Sequence, residues 1–327
     1  MPVLNRITLK RLALAVVPIA LLATGCTQAP QTGQTTPTGG NSASASPNAS
    51  SSASASPTPS ASQTTPTTRP VHVSLLESDG GEYGVGMPII AWFTVAPTDA
   101  SAFAKATTVT VNGNKVDGAW FFEQTSHAGS AMEAHYRPSG YWPAHAHIHL
   151  DLPVQGVSAG PGLSYDDSLT LDMTTGPATI STVDAHSLRM TVKSDGHLVG
   201  VYPVSLGAPN TPTSRGVKVI MDKGRDISMR GPGYFDPHVK WTQRLTYGGE
   251  YLHAAPWNTA NLGKRSTSNG CTNLATDVAQ KLYGLMRIGD VVNYPNASGP
   301  QMQLGSGYGD WNVPWSQWLT GGAVRTS

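Results

Sequence analysis

Cysteine is almost absent from this 327-residue chain, which contains only Cys26 and Cys271. Because Cys26 closes an N-terminal export signal, no disulfide framework is expected and Cys271 is left without a partner. Charge of one sign is lacking as well. Lys and Arg number 21 against 20 Asp and Glu, a formal net charge of +1, and the absence of a basic cluster argues against nucleic acid or an anionic membrane as the main partner. The sequence has no phosphate-binding glycine loop and no dinucleotide fingerprint. Beyond the signal it has no apolar run long enough to span a bilayer. No cofactor is expected.

At the N-terminus, Arg6, Lys10 and Arg11 form a basic region, Leu12 to Leu22 an apolar one, and Ala23-Thr24-Gly25 precedes Cys26 with small residues. These are the flanks of a signal peptide rather than of a membrane span. The ending at Cys26 resembles the lipobox of bacterial lipoproteins, which implies lipidation of Cys26 and a membrane anchor. Here Ala23 stands where Leu is usual. Residues 27–69 are Ser, Thr, Ala, Pro, Gln and Gly with almost no large apolar side chain, too little to offset the entropy of ordering. They read as a disordered tether, about 140 Å long if extended and about 35 to 40 Å r.m.s. as a coil. The expected location is the outer face of the cytoplasmic membrane, within the cell wall.

From residue 70 onward Val, Ile, Leu, Trp and Tyr return. Short β-runs at 71–76, 88–95, 106–111, 118–124, 131–137, 144–152 and 168–174, punctuated by Gly, Pro, Asn and Asp, predict an immunoglobulin-like β-sandwich over 70–176 without the cysteine pair of antibody domains. A second β-rich domain is expected over 177–296. Its strands are predicted at 178–184, 187–193, 197–204, 217–222, 241–246 and 250–253, with another at 289–294. One helix is predicted from Thr276, as cap, through Val278, Ala279, Leu282, Leu285 and Met286 to a stop at Gly289. Residues 297–327, with Trp311, Trp315 and Trp318, have no regular period and are expected to fold back over a domain face. The fold class is thus mainly β, with one principal helix.

Chemistry concentrates around Ser268-Asn269-Gly270-Cys271-Thr272-Asn273. This polar, glycine-containing stretch is poor core material, so Cys271 reads as a reactive thiol rather than a small buried hydrophobe. A thiol near its ordinary pKa needs a neighbouring base. His253, at the end of a predicted strand and eighteen positions upstream, is the best placed. Gly270 lets the chain turn with its amide close to a developing oxyanion, and Ser268 and Asn273 are suited to hold the turn by side-chain hydrogen bonds.

His253-Ala254-Ala255-Pro256-Trp257 followed by Ser268-Asn269-Gly270-Cys271-Thr272-Asn273 resembles the active-site signature of the L,D-transpeptidases that cross-link peptidoglycan. Tyr83 to Ile90, Gly118-Ala119-Trp120 and Gly309 to Trp318 extend the resemblance, to the actinobacterial lipoprotein type with an immunoglobulin-like module. The resemblance implies a mixed-β catalytic domain. Cys271 would attack the tetrapeptide stem, expel D-Ala and hold a thioester, which the amine of a second stem resolves as a 3→3 cross-link. It also implies that His253 is the base, that the Ala254 carbonyl orients it, and that amides at Gly270 and Cys271 bind the oxyanion. Tyr251, Trp257, Ser268, Asn269 and Asn273 would line the cleft under a lid bearing Met229 and Phe235. Carbapenem-type β-lactams are the expected inhibitors. Asn269 stands where the family has His and Ala254 where Ser is common, so two rivals remain: a carboxypeptidase or hydrolase, and a wall-binding lipoprotein without turnover.

Two other patterns read as structural. His145, His147 and His149 would share one face of a strand; a solvated face is expected there, and no metal site. Glu77-Ser78-Asp79-Gly80 is expected to be a turn.

Overall fold

The computed structural model of the protein describes residues 68–327 apart from Pro232. The expected export signal, Cys26 and nearly all of the expected tether lie outside the described residues. Twelve strands and a short helix make up the N-terminal part, in order β1 (Arg69–Val71), β2 (Val73–Leu75), β3 (Gly81–Tyr83), β4 (Ile89–Phe93), α1 (Ser101–Ala106), β5 (Thr108–Val111), β6 (Asn114–Lys115), β7 (Gly118–Glu123), β8 (Met132–Pro138), β9 (His147–Leu152), β10 (Ser158–Gly160), β11 (Leu163–Tyr165) and β12 (Leu169–Thr175). They form a sandwich of a β2-β4-β8-β7 sheet and a β3-β12-β9-β5-β6 sheet, with β1-β11-β10 alongside. Inward-pointing Ile89, Phe93, Trp120, Phe122, Ile148 and Leu150 bury fully between the sheets, the alternation expected of packed β faces.

Differences from the sequence reading are local. Arg69, assigned to the tether, begins β1 because Arg69–Val71 pairs in parallel with Leu163–Tyr165. The expected strand from Ala106 is preceded by α1, whose Phe103 enters the core and whose Ser101 amide donates to Asp99 Oδ1 at 2.8 Å. The expected turn forms at Asp79 and Gly80, closed by Gly81 N–H on Ser78 O, and ahead of it stands Glu77. It is buried, accepts the Ile90 N–H at 3.1 Å, and burial pushes its carboxyl up to about 8. His145 stands before β9 in the left-handed region, φ 53°, so the three imidazoles do not share a strand face.

The C-terminal part continues with β13 (Thr179–Asp184), β14 (Arg189–Ser194), β15 (His197–Pro203), β16 (Gly216–Val219), β17 (Asp222–Gly231), β18 (Tyr234–Arg244), β19 (Tyr251–Ala254), β20 (Thr272–Leu274), α2 (Thr276–Leu285), β21 (Val291–Tyr294) and α3 (Trp315–Trp318). One sheet runs β15-β14-β13-β21-β16, the other β17-β18-β19-β20. The run expected as one strand at 217–222 divides, because the chain leaves one sheet after Val219 and enters the other at Asp222. Helix α2 buries Ala279 and Leu282. Ala275, not Thr276, occupies its N-cap position and no side chain caps it.

Residues after 297 fold back over the N-terminal sandwich. Trp318 is fully buried, stacks on Phe121 at 4.9 Å, and donates its indole N–H to Ala119 O at 2.8 Å. The Arg137 guanidinium lies over the rings of Trp311, Trp315 and Trp318 at 4.8, 5.3 and 4.2 Å. Between the two parts, Met87, Ile90, Val219, Met221 and Tyr308 make a shared apolar cluster. There Gly84 N–H donates to Ile288 O and Gly86 N–H to Gly289 O. A Cβ on Gly84 would meet the Asp290 backbone nitrogen at 2.2 Å, so this close approach requires glycine.

Candidate active site

Parallel pairing of β19 with β20 assembles the site. The register sets Leu252 against Thr272 and His253 against Asn273, and because side chains alternate along a strand, His253 and Asn273 emerge on the same side, which Cys271, two residues before Asn273, shares. A parallel neighbour requires a crossover. Here it is a 3₁₀ turn, Pro256–Asn261, followed by the loop carrying Ser268 to Cys271. Gly270 takes φ 112° in this loop, a conformation that residues with a Cβ rarely adopt.

Ser268 clips the loop shut: its hydroxyl donates to Cys271 O at 2.6 Å and accepts the Gly270 N–H at 3.2 Å. The second contact qualifies the expectation for Gly270, whose amide is engaged by Ser268 at rest rather than open to an oxyanion. Thr213 Oγ1 holds Gly270 O at 2.8 Å from below. Asn273, expected to brace the turn through its side chain, instead braces it through backbone bonds with Ser205 at 2.8 and 3.2 Å. Its buried Oδ1 has no hydrogen-bond partner among the described residues.

His253 Nδ1 lies 2.8 Å from Ala254 O. A carbonyl only accepts, so Nδ1 carries the proton and Nε2 presents a lone pair. Trp257 stacks on the imidazole at 5.9 Å while remaining 58% exposed. Burial pushes the His253 imidazole below its ordinary range, against the opposing pull of the Ala254 carbonyl. Cys271 is 6% exposed, and its thiol donates to Gly249 O at 3.5 Å. Burial pushes that thiol up to about 12, although the Tyr251 backbone N–H directed at sulfur works the other way. Burial thus favours the neutral thiol.

Cys271 and His253 line one cavity of about 370 Å³, together with Met229, Phe235, Trp257, Ser268, Asn269 and Asn273. Tyr251 does not; it lines an adjoining cavity of about 460 Å³ with Arg230 and Arg244, and Asn269 belongs to both. The expected lid is the end of the long β17–β18 hairpin, with Met229 nearly buried and Phe235 55% exposed. Sequence reasoning missed Tyr234, Asp236, Val239, Asn258 and Thr267 in the wall of the first cavity. The first three follow from the hairpin, which shows no apolar alternation. Asn258 and Thr267 are tied to each other across the crossover at 2.9 Å.

His147 Nε2 and His149 Nδ1 both approach Asp172 Oδ1, at 3.0 and 2.9 Å, and His145 pairs with Asp195 at 2.9 Å. These side chains are solvent-exposed and line neither of the two cavities.

Residues 178–293 match the L,D-transpeptidase catalytic domain, and residues 38–158 the bacterial Ig domain. L,D-transpeptidase 2 of Mycobacterium tuberculosis (strain CDC 1551 / Oshkosh) is 30% identical over 272 residues, covering 80% of this chain. The chain spans 65% of that relative's length. Among solved structures, an L,D-transpeptidase in complex with imipenem is similar with TM-score 0.56 and 26% identity, over 68% of this chain and 97% of that one. L,D-transpeptidase 3 of Mycobacterium tuberculosis, in complex with a faropenem-derived adduct, gives 0.54 and 26% over 68% and 97%.

Proposed function

Since the chain carries an L,D-transpeptidase catalytic domain behind a bacterial Ig domain, we propose that it forms 3→3 peptidoglycan cross-links through a thioester on Cys271. The observation that carries this reading is the shared cavity: a thiol and an imidazole with a free Nε2 face one space beneath a hairpin lid.

The sulfur gives its proton to His253 Nε2 as it attacks the carbonyl before the terminal D-Ala of a tetrapeptide stem. The S–C bond forms, the C–N bond breaks, and the imidazolium returns the proton to the departing amine. The side-chain amine of a second stem then attacks the thioester and gives a proton to His253; the N–C bond forms, the S–C bond breaks, and the sulfur leaves, regaining that proton as the thiol. Backbone N–H groups around Gly270 and Cys271 stabilise the oxyanion once the Ser268 clip yields the Gly270 amide. Arg230 and Arg244 in the adjoining cavity suit the carboxylates of a stem peptide. No cofactor takes part. The enzyme works at the outer face of the cytoplasmic membrane, anchored through lipid on Cys26, and carbapenems acylate the same thiol.

A second reading, wall binding without turnover, draws on two observations: an exposed Asn269 in place of a second imidazole, and a thiol bonded to Gly249 O rather than to His253. Intact mass after incubation with a carbapenem separates the two. The proposal expects one adduct per chain, absent in Cys271→Ala, whereas an unmodified wild-type mass leaves wall binding in front. Muropeptide analysis then distinguishes transfer to an amine from hydrolysis, and lipid-precursor labelling that fails in Cys26→Ala tests the anchor.

A further inference from the structure

Strand β8 is buried on both faces. Ala134 and Tyr136 point into the sandwich core, so Glu133, His135 and Arg137 point the other way. On an ordinary sandwich that second face would be wet. Here the C-terminal segment covers it, and Glu133 and His135 are 2% and 1% exposed. Arg137 is accounted for, donating to Asp310 O at 3.2 Å and Val313 O at 2.8 Å among the three tryptophans. The two acidic groups and the imidazole are accounted for only in part.

Glu123 of β7 stands directly across from Glu133 in the sheet register, an arrangement that is destabilising for like charges unless something lies between them. Glu133 Oε2 accepts from Thr125 Oγ1 at 2.6 Å and Trp92 Nε1 at 3.2 Å. Its other oxygen and Glu123 Oε1 each lie 3.7 Å from His135 Nε2. Both Glu123 Oε1 and His135 Nε2 are buried with no hydrogen-bond partner among the described residues. One donor atom from each of Glu123, Glu133 and His135 lies within 4.8 Å of the others. Behind the ring, Asp310 Oδ1 holds His135 Nδ1 at 2.7 Å. That bond fixes the ring so that Nε2 faces the carboxylates, which is the carboxylate–histidine support usual for a metal ligand.

We propose that Glu123, Glu133 and His135 bind a divalent cation of the zinc class, with Asp310 as the second-sphere carboxylate. One imidazole and two carboxylates suit Zn²⁺ better than Mg²⁺ or Ca²⁺, which take all-oxygen shells of higher number. Bonds of about 2.0 to 2.1 Å in a tetrahedron place donors about 3.3 Å apart, so the two 3.7 Å nitrogen–oxygen separations need to close by a few tenths of an ångström, and the two carboxylate oxygens, within 4.8 Å of each other, by up to about 1.5 Å. The cation compensates two buried carboxylates and, through Asp310, fastens the C-terminal segment to β7 and β8. It is independent of whether Cys271 turns over.

The test uses the folded chain, stripped with a chelator and titrated with Zn²⁺ by calorimetry, with elemental analysis of the loaded protein. One equivalent is expected, together with an upward shift in melting temperature. Uptake should be lost in the near-isosteric Glu123→Gln and in His135→Ala, yet kept in Cys271→Ala and in the His147→Ala/His149→Ala double variant. Co²⁺ loading should give visible bands without the sulfur charge-transfer band that ligation by Cys271 would bring. The inference is overturned if wild type takes up no zinc at about 100 μM, if folded Glu123→Gln binds as wild type does, or if uptake disappears with Cys271 or the exposed histidines.

Discussion

Burial favours a neutral thiol at Cys271 over a preformed ion pair, so a proton transfer is the expected opening of the proposed chemistry. Burial acts on both partners in the direction of neutrality: it raises the thiol to about 12 and lowers the imidazole. A neutral His253 is the form that accepts a proton, and its depressed pKa keeps that form available into mildly acidic solution. Iodoacetamide reports the thiolate fraction directly. Its reaction with Cys271 is expected to accelerate about tenfold per pH unit between pH 6 and 9 without levelling. A plateau below pH 8, measured as alkylation rate by mass spectrometry, would indicate an imidazolium–thiolate pair instead. Asn269 bears on the same point, since a second imidazole in its place would offer another acceptor at the mouth of the cavity.

Elements differ in how far the sequence reveals them. Strands such as β12 and β13 alternate buried and exposed residues, and that pattern is legible from the order of residues alone. The β17–β18 hairpin is not, because Lys223, Arg225, Asp226, Arg230, Asp236, His238 and Lys240 leave both faces without an apolar period; of its apolar side chains only Met229 and Val239 are buried. Helix α1 escaped for another reason, being only six residues long and dependent on Phe103 alone to dock. The catalytic signature was readable since polar Ser268 and Gly270 are out of place in a core, whereas Gly270's engagement with Ser268 is tertiary detail invisible to spacing. At the hairpin end, Phe235 is exposed and its ring lies 4.6 Å from the Arg230 guanidinium. Phe235→Ala should leave stability within about 0.5 kcal/mol, as for surface sites generally, while slowing carbapenem acylation severalfold through loss of a cavity wall. Thermal melting and stopped-flow fluorescence check the two halves; equal acylation rates would deny the hairpin its role as a lid.

The whole molecule is joined by polar backbone as much as by apolar surface. Gly84 and Gly86 donate to the turn at Ile288 and Gly289, Arg287 pairs with Glu82, and Asp290 sits inside this junction at 0% exposure. Its Oδ2 accepts the Arg287 N–H at 2.8 Å, while Oδ1 has no hydrogen-bond partner among the described residues. Burial pushes the carboxyl up from 3.8 to about 7, the Arg287 amide opposing. An unfolded chain releases this proton near pH 4 and the folded one holds it until near pH 7. Across that window the native state binds more protons, and stability must fall as pH rises. The full effect is about 4 kcal/mol at most, from roughly three units at 1.36 kcal/mol each. Asp290→Asn removes the titration while keeping the shape. Urea midpoints measured from pH 4 to 8 should therefore decline more steeply in wild type than in the variant, with the two curves parallel above pH 7.5. Parallel curves throughout would mean that Asp290 is ionised at the junction and that Arg287 and Lys223, not burial, set its charge.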